Sequence, residues 1–205
     1  MLAQRISVYV HFPWCLRKCP YCDFATSPRE RAAIDHRGYA DAVLAELAFR
    51  APVLAGAELY SVFFGGGTPS LWEPSELGRV LAGIRGAFGT EHSGCEITVE
   101  CNPSSLDRER ARALREVGVN RLSVGVQSLD DQELVFLGRL HNRELALAAI
   151  EGAQASFERV SADLDVRVAR AARRTLPRLS RHPARHGPGA RVRVRVDHRG
   201  RHALR

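Results

Sequence analysis

Strand-like and helix-like segments alternate along the first 164 residues, and this alternation restricts the fold more than any other feature of the chain. Short runs rich in β-branched and apolar residues are each followed by segments with apolar residues three and four positions apart. Strands separated by helices pair in parallel through right-handed crossovers. The five predicted strands are Ile6–Val10, Leu59–Phe64, Cys95–Val99, Arg121–Val126 and Val160–Leu164. A doubly wound sheet and a (β/α) barrel both satisfy the pattern, and periodicity does not choose between them.

Helices are predicted between these strands from their apolar spacing and their end signals. Pro74 suits a first helical turn, Asp107 can cap a helix, and Gly118 can end one. The predicted helices are Tyr39–Arg50, Pro74–Phe88, a helix from Asp107 to about Val117, Asp131–Leu137 and Arg143–Ala155.

The pattern breaks after Leu164, and the charge changes at the same place. Residues 165–205 contain 13 Arg, two Asp and no aromatic residue, whereas residues 1–164 carry a net charge of −4 within a total of +7. High net charge without aromatic residues is typical of disorder. We therefore expect two parts, a partial core at 1–164 and a disordered Arg-rich tail at 165–205. Out-of-frame reading of GC-rich codons would produce such a tail, so a frameshift is the working hypothesis, with translation of the other two frames as its test.

Several classes of protein are disfavoured by composition. No run of 18 apolar residues and no signal peptide is present, so we expect a cytoplasmic protein without a membrane span. Arg191–Val196 could form an exposed strand, but it has no obvious partner. The tail could contact phosphates, but it offers no aromatic residue for base stacking, so nucleic-acid binding is the disfavoured alternative.

Three of the five cysteines form a C-x3-C-x2-C triplet, Cys15, Cys19 and Cys22, directly after the first strand. Three thiolates can hold three irons of a [4Fe–4S] cubane and leave the fourth iron open to S-adenosylmethionine (SAM). A structural zinc site is the alternative, with His11 as a fourth ligand, although the spacing fits zinc patterns poorly.

Tyr9–Phe24, YVHFPWCLRKCPYCDF, resembles the start of the HemN/HemW family of radical SAM proteins, which comprises oxygen-independent coproporphyrinogen III oxidases and related heme chaperones. The resemblance continues through FFGGGTPSLW, VECNP, GVNRLSVGVQS and LGRLHN, and ends at Leu164. It implies a radical SAM partial TIM barrel, here incomplete at about five β/α units.

Polar candidates follow the carboxyl ends of four predicted strands, where parallel α/β folds place their sites: the cysteine triplet, Gly65–Thr68, Glu100 with Asn102, and Gln127. The resemblance implies that the cysteine triplet binds the cluster and that nine further residues line the SAM pocket. These nine are Tyr9, Tyr21, Gly66, Gly67, Thr68, Glu100, Gln127, Arg139 and Asp163. It assigns no catalytic residue, no role to Cys95 or Cys101, and a structural role to His141.

Phe24 stands where the oxidase carries a fourth cysteine, so the heme chaperone is the favoured member of the family and the oxidase the alternative. The resemblance implies heme or a porphyrinogen as ligand and a reductant for the cluster. If the chain lacks a sixth strand, the fifth becomes an unprotected edge and stability suffers.

Overall fold

The computed structural model describes residues 4–88, 91–165 and 191–197, which form a parallel sheet covered by helices. The sheet strands are β1 (Arg5–Phe12), β4 (Glu58–Gly66), β5 (Glu91–Cys101), β6 (Arg121–Gln127), β7 (Arg159–Asp165) and β8 (Arg191–Asp197). A separate pair of two-residue strands, β2 (Trp14–Cys15) and β3 (Ser27–Pro28), closes the loop after β1. The five predicted strands are all confirmed, each longer by a few residues.

The helices lie between successive sheet strands: α1 (His36–Arg50), α2 (Pro74–Phe88), α3 (Arg108–Glu116), α4 (Asp131–Phe136) and α5 (Arg143–Gln154). The cap predicted at Asp107 is confirmed, since its carboxylate accepts from the Arg110 amide. Asn142 caps α5 in the same way. No helix in the described ranges is both long enough and apolar enough to cross a bilayer.

The order of strands decides between the two folds that periodicity left open. Each sheet strand pairs in parallel with its sequence neighbours, in the order β1-β4-β5-β6-β7-β8. A doubly wound sheet reverses its strand order at a switch point, and this sheet does not. The chain therefore winds in one direction, as in a (β/α) barrel.

Alternation along the strands separates an apolar face from a polar face. Every second residue packs into the helix-covered core, including Val10, Val62, Val99 and Leu122. On β5, β6 and β7 the residues between them on the other face are polar or small, among them Thr98, Glu100, Ser123, Gly125 and Asp163. The inner face of the partial barrel is therefore available for polar ligands.

An aromatic cluster stabilises the carboxyl end of β1. Trp72 is fully buried, stacks on Phe12 at a centroid distance of 5.3 Å and lies 5.0 Å from Tyr39. Its indole Nε1 donates to the His36 carbonyl. Trp14 packs edge-on against Tyr39 at 4.8 Å. This packing fixes the chain direction immediately before Cys15.

The expectation that the fifth predicted strand forms an unprotected edge is wrong. β8 pairs with β7 in parallel from Arg159↔Arg191 to Asp165↔Asp197, so the segment at Arg191 has a partner. Alternating Arg and Val suits a strand because β-branched residues favour extended backbone. The rest of the tail, residues 166–190 and 198–205, lies outside the described residues. The disorder predicted there and the nucleic-acid hypothesis stay predictions.

We expect Trp72→Ala to lower the free energy of unfolding by about 3–5 kcal/mol, because it leaves a cavity in the aromatic cluster. Phe49→Ala, on the exposed face of α1, should change it by less than about 0.5 kcal/mol. Urea unfolding followed by circular dichroism measures both. Equal effects of the two variants would contradict the importance of the aromatic cluster.

Candidate cluster and cofactor site

The three cysteines of the triplet lie on one closed loop between β1 and α1, the cluster loop (residues 13–29). Pairing of β2 with β3 brings its ends together, and the Arg29 amide donates to the Cys15 carbonyl at 2.8 Å. Inside the loop, the Cys22 amide donates to the Cys19 carbonyl at 3.0 Å. All three thiols are free and partly buried. The loop therefore presents three sulfur ligands from one short segment.

The glycine turn after β4 holds the start of the cluster loop by close backbone contact. The Gly67 amide donates to the Phe12 carbonyl at 2.7 Å, and the Thr68 amide donates to the Trp14 carbonyl at 2.9 Å. A Cβ on Gly67 would lie 2.6 Å from the Trp14 carbonyl oxygen. Gly66 has φ +110°, which disfavours other residues. Both glycines therefore allow the turn to lie directly against the end of β1 and the start of the cluster loop.

Arg139 joins the cluster loop to the end of β6. Its guanidinium donates to the Gly125 carbonyl at 2.6 Å, and it lies 3.4 Å from both the Cys19 Sγ and the Tyr21 hydroxyl. A bulge between Gly125 and Gln127 interrupts the pairing of β6 with β7 at this point. Gln127 has φ +69°, a conformation that a non-glycine residue adopts at a cost.

A cleft of about 620 Å³ opens beside the triplet and contains most of the predicted site. It is lined by the three cysteines and by eight of the nine predicted SAM-pocket residues: Tyr21, Gly66, Gly67, Thr68, Glu100, Gln127, Arg139 and Asp163. Residues from six separate segments therefore converge at the carboxyl edge of the sheet. The volume is in the range of pockets that bind small molecules.

Tyr9 is the predicted site residue that does not line this cleft. Its side chain is 57% exposed, and its hydroxyl lies 3.0 Å from the His11 Nδ1. His11 Nε2 in turn lies 2.9 Å from the Ala25 carbonyl, so His11 connects β1 to the cluster loop. The sequence argument considered His11 only as a zinc ligand, although period-two alternation on β1 already placed it on the face of Tyr9.

Burial and neighbouring groups shift the pKa values of Cys15 and Tyr21 on the cluster loop. Burial raises the pKa of the Cys15 thiol, and the neighbouring Thr68 hydroxyl opposes that shift. Burial also raises the pKa of Tyr21 to about 12, against the opposing effect of Arg139. Both groups are therefore neutral at pH 7 without a metal, and metal binding at Cys15 must release a proton.

The residues at the cleft fit a polar, charged cofactor beside an iron–sulfur cluster. Arg139 Nε is buried and has no hydrogen-bond partner among the residues that the structure describes. A Cβ on Gly67 would meet the Trp14 backbone of the cluster loop, and a Cβ on Gly66 would meet the His11 ring on β1. Free thiols, an unpaired guanidinium nitrogen and glycine backbone together suit SAM next to a cluster.

The comparison with known proteins agrees with this geometry. The sequence model of the Radical SAM superfamily matches residues 9–165. The chain belongs to the radical SAM superfamily. Membership implies a [4Fe–4S] cluster and SAM as cofactors.

Similar proteins indicate which branch of the superfamily this chain resembles. The chain is 38% identical to the heme chaperone HemW of Escherichia coli over 144 residues, covering 70% of this chain and 38% of HemW. It is 40% identical to the bovine mitochondrial radical S-adenosyl methionine domain-containing protein 1, covering 79% and 36% of the two chains. The structure matches the E. coli coproporphyrinogen III oxidase HemN with TM-score 0.71 and 28% identity, over 80% of this chain and 37% of HemN. The chain spans less than half the length of these relatives.

The remaining predicted side chains lie as the sequence indicated. Cys95 is buried in β5, and Cys101, also buried, lines the cleft. His141 is buried, and its Nε2 donates to the Val126 carbonyl at 3.1 Å, which is a structural role. Phe24 and Phe136 both line the cleft. The sequence argument used Phe24 only to distinguish the chaperone from the oxidase, and it missed Phe136 because an exposed aromatic residue gives no periodic signal.

Gly67→Ala should lower the free energy of unfolding by about 1–3 kcal/mol, because the added methyl meets the Trp14 backbone. Gly86→Ala is the matched control, since a Cβ there meets no atom within 4 Å, and it should stabilise α2 by about 0.5–1 kcal/mol. Chemical denaturation measures both. A neutral Gly67→Ala would disprove the close approach.

Burial lowers the pKa of His141 to about 4, with the Arg139 charge adding to the effect. The unfolded chain, with an ordinary histidine pKa of about 6.5, then binds the proton more tightly than the folded chain. Stability should therefore fall by about 3 kcal/mol as pH drops from about 6.5 to about 4. Urea unfolding of the wild type and of His141→Asn across this range isolates the effect. Parallel pH profiles for the two proteins would contradict it.

Proposed function

We propose that this chain binds a [4Fe–4S] cluster on Cys15, Cys19 and Cys22 and SAM in the adjoining cleft, as part of a HemW-like protein that binds heme. The observation that carries the proposal is the closed loop of three free thiols at the mouth of a cleft that also contains the glycine turn. Cys15, Cys19 and Cys22 would hold three irons and leave the fourth without a protein ligand; once reduced by an external donor, the cluster would supply the electron that cleaves SAM.

The other site residues would position SAM. The backbone of Gly66, Gly67 and Thr68 would line its methionyl group. The Glu100 carboxylate accepts from the Gly66 amide at 3.1 Å, so this acid is already oriented at the glycine turn. It would accept hydrogen bonds from the amino group or the ribose.

On the opposite wall, Gln127, Arg139 and Asp163 would contact SAM, with Tyr21 beside the cluster loop. Asp163 accepts from the Ser123 hydroxyl at 2.7 Å, which orients its carboxylate. Tyr9 lies outside the lining residues, so a contact from Tyr9 to SAM would require its side chain to move.

A cluster fits the triplet better than a zinc ion does. Among the described residues, no three or more His, Cys, Asp or Glu side chains are arranged to hold a single metal ion. Zinc requires four ligands converging on one point. The three cysteines could instead bind three different irons of a cubane.

The chaperone is preferred to the oxidase on two grounds. Position 24 holds Phe, where the oxidase carries a fourth cysteine, and several similar proteins bear the name heme chaperone HemW. We propose heme as the ligand, an external reductant for the cluster, and the cytoplasm as the location. The five free thiols suit a reducing compartment.

Replacing Cys15, Cys19 and Cys22 together by Ala should abolish cluster binding and SAM cleavage. The test is anaerobic reconstitution with iron and sulfide, followed by iron analysis, absorption spectroscopy and chromatography of SAM cleavage products. Cys95→Ala is the matched control, a cysteine on β5 away from the loop, and it should keep the iron content of the wild type. SAM cleavage that survives the triple substitution would refute the site.

A further inference from the structure

The mouth of the cleft combines two exposed aromatic rings with cationic side chains. Phe24, on the cluster loop, is 61% exposed, and Phe136, at the end of α4, is 81% exposed. Both line the cleft. Single exposed aromatic residues are common on protein surfaces, but two at the opening of one cleft mark a surface for an apolar ligand.

Positive charge adjoins these rings. The Lys18 ammonium donates to the carbonyls of Phe24 and Thr26 at 3.3 and 3.4 Å, which places a cation at the base of the Phe24 segment. Arg17, also exposed, lines the same cleft. The polar residues proposed for SAM lie deeper, at the strand ends, so the apolar mouth is a separate subsite.

We infer that Phe24 and Phe136 form a docking surface for the ring of a tetrapyrrole, whose carboxylates pair with Lys18 and Arg17. This inference rests on the proposed function and adds the place where the ligand binds. A flat aromatic ring stacks on or against phenylalanine side chains, and its acidic groups match the two cations. The ring would then cover the open side of the cluster loop.

Titration of the full chain with metal-free protoporphyrin IX, followed by porphyrin fluorescence, tests the inference. The metal-free probe excludes iron ligation by cysteine or histidine. Phe24→Ser and Phe136→Ser should each raise the Kd about tenfold. Phe49→Ser is the matched control, because Phe49 on α1 is also 81% exposed but does not line the cleft, and its Kd should stay unchanged.

A second pair of probes tests the charges. Lys18→Gln should weaken binding of protoporphyrin IX several-fold and leave binding of its dimethyl ester, which lacks the acids, unchanged. If Lys18→Gln raises the Kd of both probes equally, Lys18 acts only through the loop backbone, and its proposed pairing with the porphyrin carboxylates is overturned.

Three outcomes would overturn the docking surface. The first is a Phe49→Ser control that raises the Kd for protoporphyrin IX as much as Phe136→Ser does. The second is that Phe24→Ser and Phe136→Ser weaken binding of SAM but not of protoporphyrin IX. The third is that these two variants abolish self-association of the chain and leave porphyrin binding unchanged. Absence of porphyrin binding with intact SAM cleavage would reject this inference alone. Absence of SAM cleavage in the unmodified, reconstituted chain would reject the proposed function.

Discussion

The close contact between the glycine turn after β4 and the chain leading into the cluster loop is the constraint on which the site depends. Two backbone hydrogen bonds, from Gly67 to Phe12 and from Thr68 to Trp14, join these segments. They form only because no side chain stands between them. The aromatic cluster around Trp72 packs below the same contact. The backbone directly before Cys15 is therefore held in a fixed position.

The far wall of the cleft depends on an interruption of the sheet. The bulge in β6 leaves the Gly125 and Val126 carbonyls to accept from Arg139 and His141, which lie two residues apart on one loop. That loop brings a positive charge to Cys19.

The cleft thus has a polar floor and an apolar mouth, and the two suit different ligands. Glu100 and Asp163 are oriented on the floor by hydrogen bonds. Phe24 and Phe136 leave apolar surface in water at the mouth. In a protein that handles both SAM and a tetrapyrrole, this division would let each bind without displacing the other.

Local patterns in the sequence determined the helices, the strands, the caps and the cysteine loop, because periodicity and turn chemistry act over a few residues. Eight of the nine residues that the family resemblance assigned to the SAM pocket line one cleft, since strand ends in parallel folds share one edge. Tertiary structure alone decided the rest. It set the sequential strand order, paired β8 with β7, left Tyr9 outside the cleft lining and placed Phe24 and Phe136 on the lining of one cleft. These features depend on contacts between distant segments, and no pattern within one segment specifies which neighbour it will meet.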